Sequence, residues 1–138
     1  MTTLDTQEYL DIALALLAEG HGQAEVPISG NSMCPFLHPG ELVFLSLPEK
    51  KLEVGDVVLF NRPNGDYILH RIVSIRKDGI YMTMGDNQTL PEPVPPQAIR
   101  AVTYCVRRQK RLVKKGSLEW WFFAHPWRLW AGLRRFRK

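Results

Sequence analysis

From Val26 onward the chain advances in short runs rich in Val, Ile, Leu, Phe and Tyr, punctuated by Gly, Pro, Asn and Asp: "ELVFLSL", "DVVLFNR", "YILHRIVSIR", "GIYMTMG" and "AIRAVTYCVRR". This cadence predicts strands joined by turns, in a mainly β, compact antiparallel domain rather than alternating βαβ units. Asn64-Gly65 in "NRPNGDY" and Asp78-Gly79 in "RKDGIY" are pairs suited to tight hairpins, so the second, third and fourth runs are read as a meander.

Two flanking segments differ from this pattern. Residues 5–19 place Leu10, Ala13, Leu14 and Leu17 at helical spacing behind an Asp5/Glu8 capping-box pattern, with Gly20 as the stop, and predict one N-terminal amphipathic helix. The segment "WWFFAHPWRLWAGLRRFRK" predicts a C-terminal amphipathic helix from about residue 126, where Pro126 fits a first turn. The chain thus divides into an N-terminal helix and linker (1–25), a β domain (26–106) and a basic, Trp-rich tail (107–138). Charge follows the same division: residues 1–106 hold 7 Lys/Arg against 13 Asp/Glu, and residues 107–138 hold 11 against 1. A basic block with interleaved Trp suits a peripheral membrane contact, and equally suits aromatics capping the core while the arginines stay in water.

Cys34 and Cys105 match no metal-ligand spacing and are read as free thiols, so neither a metal nor a disulfide framework is expected. The start "MTTLDTQEYL" lacks a basic region, and the apolar run 12–18 is too short to span a bilayer, so a cytoplasmic chain is expected.

The loop "SGNSMCPFLHPG" (29–40) is a candidate for chemistry. A serine hydroxyl needs a base within hydrogen-bond reach and donors aimed at the developing oxyanion. Gly30 permits close backbone approach, Pro35 and Pro39 restrain the loop, and the N–H groups around Ser32, with Asn31 and Met33 as its neighbours, are candidate donors. Ordinary turn serines share this setting, so the loop alone leaves both readings open. Among the histidines, His21, His38 and His125 fall in linker, loop and tail, whereas His70 lies inside a strand that would hold an imidazole rigidly as general base. Asp86 and Glu92, in "MGDNQTLPEPVPP", are candidates for a third, orienting acid.

Four boxes in order carry a family resemblance over about residues 26–106. "SGNSMCPFLHPGELVFL" resembles the Ser-Met box of the signal peptidase I and LexA-type serine peptidase superfamily, and "GDVVLF" resembles the box after it. "ILHRIVSI" resembles the His-Arg box of the endoplasmic-reticulum and archaeal branch, and "MGDN" resembles the Gly-Asp-Asn box. The resemblance implies a cofactor-free peptidase with Ser32 as nucleophile and His70 as general base, at the position where the bacterial branch has lysine. Its substrate would be a peptide or protein with small residues before the cleaved bond. For the acid, Asp86 matches the box itself and is preferred, because "TLPEPVPP" around Glu92 departs from the family's acidic continuation; Glu92 falls nearest the later aspartate of the endoplasmic-reticulum branch.

Gly30 stands where signal peptidases carry an oxyanion-hole serine, so backbone N–H groups are expected to serve. With no membrane anchor in view, the expected activity is that of a dedicated peptidase acting on a precursor or leader peptide from the cytosol. The alternatives are a LexA-like self-cleaving regulator and a catalytically inactive peptide-binding module. Against the regulator, the N-terminal 25 residues are too short for a helix-turn-helix domain, and the one Ala-Gly pair, Ala131-Gly132, lies in the tail. Nucleic acid is not expected as a partner.

Overall fold

Among the described residues, helix α1 (Thr3–Ala18) leads into eight strands: β1 (Ala24–Pro27), β2 (Leu42–Ser46), β3 (Val57–Asn61), β4 (Tyr67–Ile75), β5 (Tyr81–Met84), β6 (Glu92–Val94), β7 (Ile99–Arg108) and β8 (Arg111–Lys114). These elements come from a computed structural model, which describes residues 3–20, 24–27, 33, 36–37, 40–48, 51–108, 111–115, 117 and 120. The C-terminal helix expected from about residue 126 lies outside the described residues.

Local turn chemistry sets the meander. Between β3 and β4 the Arg62 N–H donates to the Asp66 carbonyl, the Asp66 N–H donates to Asn64 Oδ1, and Gly65 takes φ +94°. Between β4 and β5 the Arg76 N–H donates to the Ile80 carbonyl, the Ile80 N–H donates to Asp78 Oδ1, and Gly79 takes φ +88°. Both glycines occupy the left-handed region that side chains resist, which is why Asn-Gly and Asp-Gly mark these hairpins.

All pairings are antiparallel, in the order β1-β2-β7-β3-β4-β5-β6, with β8 also on β7. Strand β7 is the spine. Val102 pairs with Ser46 of β2 on one edge and Val58 of β3 on the other, while Cys105, Val106 and Arg107 pair with both β2 and β8. Strands β3 and β8 therefore lie end to end along one edge of β7, and the sheet continues past residue 106.

Side chains alternate between the two faces of a strand, and here both faces are covered. On the first face Val57, Leu59, Val43 and Val106 pack under Leu10, Leu14 and Leu17 of α1, together with Phe36 and Leu37. On the second, Val58, Phe60, Ile72 and Val94 form a smaller cluster. Helix α1 buries the residues whose spacing predicted it and exposes Ile12 and Leu16. Cys105 is buried and free. No helix among the described residues is long and apolar enough to cross a membrane.

The described residues after β8 tie back into the domain. Trp120 is buried, its ring edge-on to Phe36 at 5.2 Å between centroids. Lys115 Nζ donates to Asp56 Oδ1 at 2.6 Å and lies 3.5 Å from Glu53 Oε1. Burial works against the Lys115 charge, but the hydrogen bond to Asp56 and the two carboxylate charges outweigh it and raise its pKa. Asp56 is almost fully buried, so removing its cation leaves a buried carboxylate oxygen short of a donor. Lys115→Ala is expected to lower unfolding stability by about 1–3 kcal/mol; a urea midpoint unchanged from wild type would show that Asp56 does not depend on this contact.

Candidate active site

Adjacent residues of a strand face opposite sides of the sheet, so His70 and Arg71 of β4 serve different surroundings. Arg71 shares its face with Val57, its cross-strand partner, and is fully buried. Its Nε and Nη2 donate to Asp86 Oδ1 and Oδ2, both at 2.8 Å, and its Nη1 donates to the Gly55 carbonyl at 2.8 Å. The guanidinium also lies over the Phe36 ring, 4.9 Å from its centroid. Burial pushes the Asp86 carboxyl upward, and the Arg71 fork opposes that shift.

Met33 completes this cluster. It is buried, and its Sδ accepts from the Asp86 N–H at 3.4 Å. A continuous contact path thus runs from Met33, next in sequence to Ser32, through Asp86 to Arg71, next in sequence to His70.

His70 lies on the second face, opposite Val58 and edge-on to Phe60 at 6.1 Å between ring centroids. It is 3% exposed, and its Nδ1 has no hydrogen-bond partner among the described residues. The group nearest in kind to a partner is Glu92 Oε1 on β6, 3.8 Å from Nδ1. Register explains the approach: Ile72, two residues from His70, pairs with Thr83 of β5, and Thr83 pairs with Glu92. Glu92 is held in turn by Arg62, whose Nη2 donates to Oε1 at 2.8 Å and whose Nε donates to Oε2 at 3.2 Å.

The two acids are therefore divided between the faces. Asp86, preferred from its box, is committed to Arg71, and Glu92 is the carboxylate beside His70. Arg62 had no role in the sequence reading, and Arg71 entered it only as part of a box. The signal for Arg71 was present in the strand period: a charged residue next to an inward-facing histidine must itself point into the opposite layer and find a counter-ion there. Ser32, Gly30 and Asn31 lie outside the described residues, as does Cys34. No group of three or more His, Cys, Asp or Glu side chains suited to a metal is found among the described residues.

Burial drives the His70 pKa down to about 4; Glu92 opposes the shift and Arg62 adds to it. A neutral imidazole at pH 7 can accept a proton, as a general base must.

Residues 1–104 match the family model described as Peptidase S24-like. No curated protein matches the chain.

Two predictions follow from this layout. Arg71→Met leaves Asp86 buried without its cation and is expected to cost about 3–5 kcal/mol in unfolding stability; a loss below about 1 kcal/mol would place the pair among interactions typical of exposed surfaces. For His70, the folded pKa near 4 lies below the ordinary 6.5, so the unfolded chain takes up the proton first. The stability that neutral His70 contributes is complete above about pH 6.5 and falls progressively as pH drops toward 4, by ~3 kcal/mol in all. The unfolding free energies of wild type and His70→Gln, measured from pH 7.5 to 4.5, should diverge in this sense; a pH-independent difference would contradict it.

Proposed function

Because the chain belongs to the Peptidase S24-like family, we propose that it is a serine peptidase in which Ser32 is the nucleophile, His70 the general base and Glu92 the acid that orients it. The observation that carries this reading is the buried cluster of Met33, Asp86 and Arg71, which joins the sequence neighbours of Ser32 and His70 across two separate elements.

In the proposed reaction, Ser32 Oγ attacks the scissile carbonyl carbon as His70 Nε2 takes the hydroxyl proton. The resulting oxyanion is met by backbone N–H groups of the 30–33 loop. Collapse of the tetrahedral adduct breaks the C–N bond, and the proton on His70 passes to the leaving amine. Water then enters, gives a proton to His70 and hydrolyses the ester, restoring Ser32. Glu92 faces Nδ1, where imidazolium charge develops.

An extended substrate fits the outer edge of β1, the end strand of the described sheet, by adding a strand. Among the described residues β1 pairs only with β2, and its last residue, Pro27, precedes Ser32 by five positions. The substrate class we propose is a precursor or leader peptide cut after small residues.

The test is cleavage of a random peptide library by the full chain, read by mass spectrometry. Wild type is expected to cut at a defined subset of bonds, and Ser32→Ala and His70→Ala to lose at least about 10³-fold in rate. Cleavage by Ser32→Ala at the wild-type rate would overturn the assignment. Retained peptide binding without cleavage by wild type would instead identify a binding module.

A further inference from the structure

The Arg62–Glu92 pair stands at the surface end of the site. Arg62 follows β3 directly and has the same strand parity as Val58 and Phe60, so its side chain reaches across the face that carries His70. Both partners are partly exposed, with side chains at 39% and 32%. Partly exposed ion pairs contribute little to stability on average, and what a two-pronged fork adds to such a pair is geometric specificity.

That geometry is specific. Glu92 has a flexible side chain, and two parallel hydrogen bonds to a planar guanidinium restrict the carboxylate to one orientation. In that orientation Oε1 is the oxygen nearest His70 Nδ1. The main chain under Glu92 is tied as well, since Thr83 Oγ1 donates to the Glu92 carbonyl at 3.3 Å. Asp66, across the β3–β4 hairpin, adds a second negative charge near Arg62. Arg71 and Asp86 belong to the other face. The charged groups that bear on His70 are thus Glu92 from β6 and Arg62 from the β3 end.

A neutral imidazole carries its proton on one nitrogen only. With a carboxylate oxygen facing Nδ1 and no donor beside it among the described residues, the favoured tautomer is Nδ1–H, which leaves the Nε2 lone pair to accept a proton. We infer that Arg62 is a positioning residue: by clamping Glu92 with Oε1 toward Nδ1, it selects the His70 tautomer in which Nε2 can act as base. This inference rests on the Ser32/His70 reading for its catalytic meaning, and its physical content is measurable without turnover.

The experiment is the imidazole ¹⁵N spectrum of His70 at pH 7 in the full-length wild type, Glu92→Ala, Arg62→Gln and Arg62→Lys, with backbone amide spectra confirming an intact sheet. Wild type is expected to show the Nδ1–H tautomer, and Glu92→Ala to move toward Nε2–H. Arg62→Gln should move at least half as far as Glu92→Ala. Arg62→Lys, which keeps the charge and lacks the fork, should also move. In peptide cleavage, Arg62→Gln should lower kcat about tenfold with KM nearly unchanged. A wild-type tautomer in Arg62→Gln alongside an altered one in Glu92→Ala would overturn the role of Arg62, and an unaltered tautomer in Glu92→Ala would overturn the whole arrangement. Loss of the peptidase reading is separately visible, as cleavage that survives Ser32→Ala while the tautomer results stand.

Discussion

The buried ion pair between Arg71 and Asp86 is the constraint on which the remaining architecture depends. Taking a guanidinium and a carboxylate out of water is expensive, and the cost is offset only when geometry and further hydrogen bonds are good. Here both carboxylate oxygens meet the guanidinium at 2.8 Å, the third guanidinium nitrogen meets the Gly55 carbonyl, and Phe36 covers the cation. The pair therefore joins the entry to β3, the middle of β4 and the turn after β5. Because the Asp86 N–H also meets Met33, it reaches the loop that follows β1.

A consequence of strand geometry is that this pair leaves the opposite face free for different chemistry. His70 is one residue away yet separated from Arg71 by the sheet itself. Its neighbours are Phe60, Val58 and Glu92, so burial outweighs the one nearby carboxylate and the ring stays neutral. Two adjacent residues thus divide two tasks, one ionic and structural, the other suited to proton transfer.

Much of the fold was legible because its signals are local. The hairpins at Asn64-Gly65 and Asp78-Gly79 were readable from the left-handed backbone that each glycine supplies, and α1 from the spacing of Leu10, Ala13, Leu14 and Leu17. The placement of β7 between β2 and β3 was not legible, since it depends on pairings between residues 39 to 65 positions apart. The candidate site divides in the same way. His70 was legible as a histidine inside a strand, whereas which of Asp86 and Glu92 lies beside it depends on the β4–β5–β6 register. Arg62 and Lys115 carried no signal, because each acquires meaning only from a partner brought close by the sheet: Glu92 for one, Asp56 for the other.

The proposed mechanism requires Ser32 and His70 to meet. The measurement that tests it most directly is the distance between Ser32 Oγ and His70 Nε2 in a crystal structure of the full chain with a peptide bound. The expected separation is about 2.6–3.2 Å, with Glu92 on the far nitrogen. A separation beyond about 7 Å with peptide in place would contradict it, since no proton could pass between the two groups at that range.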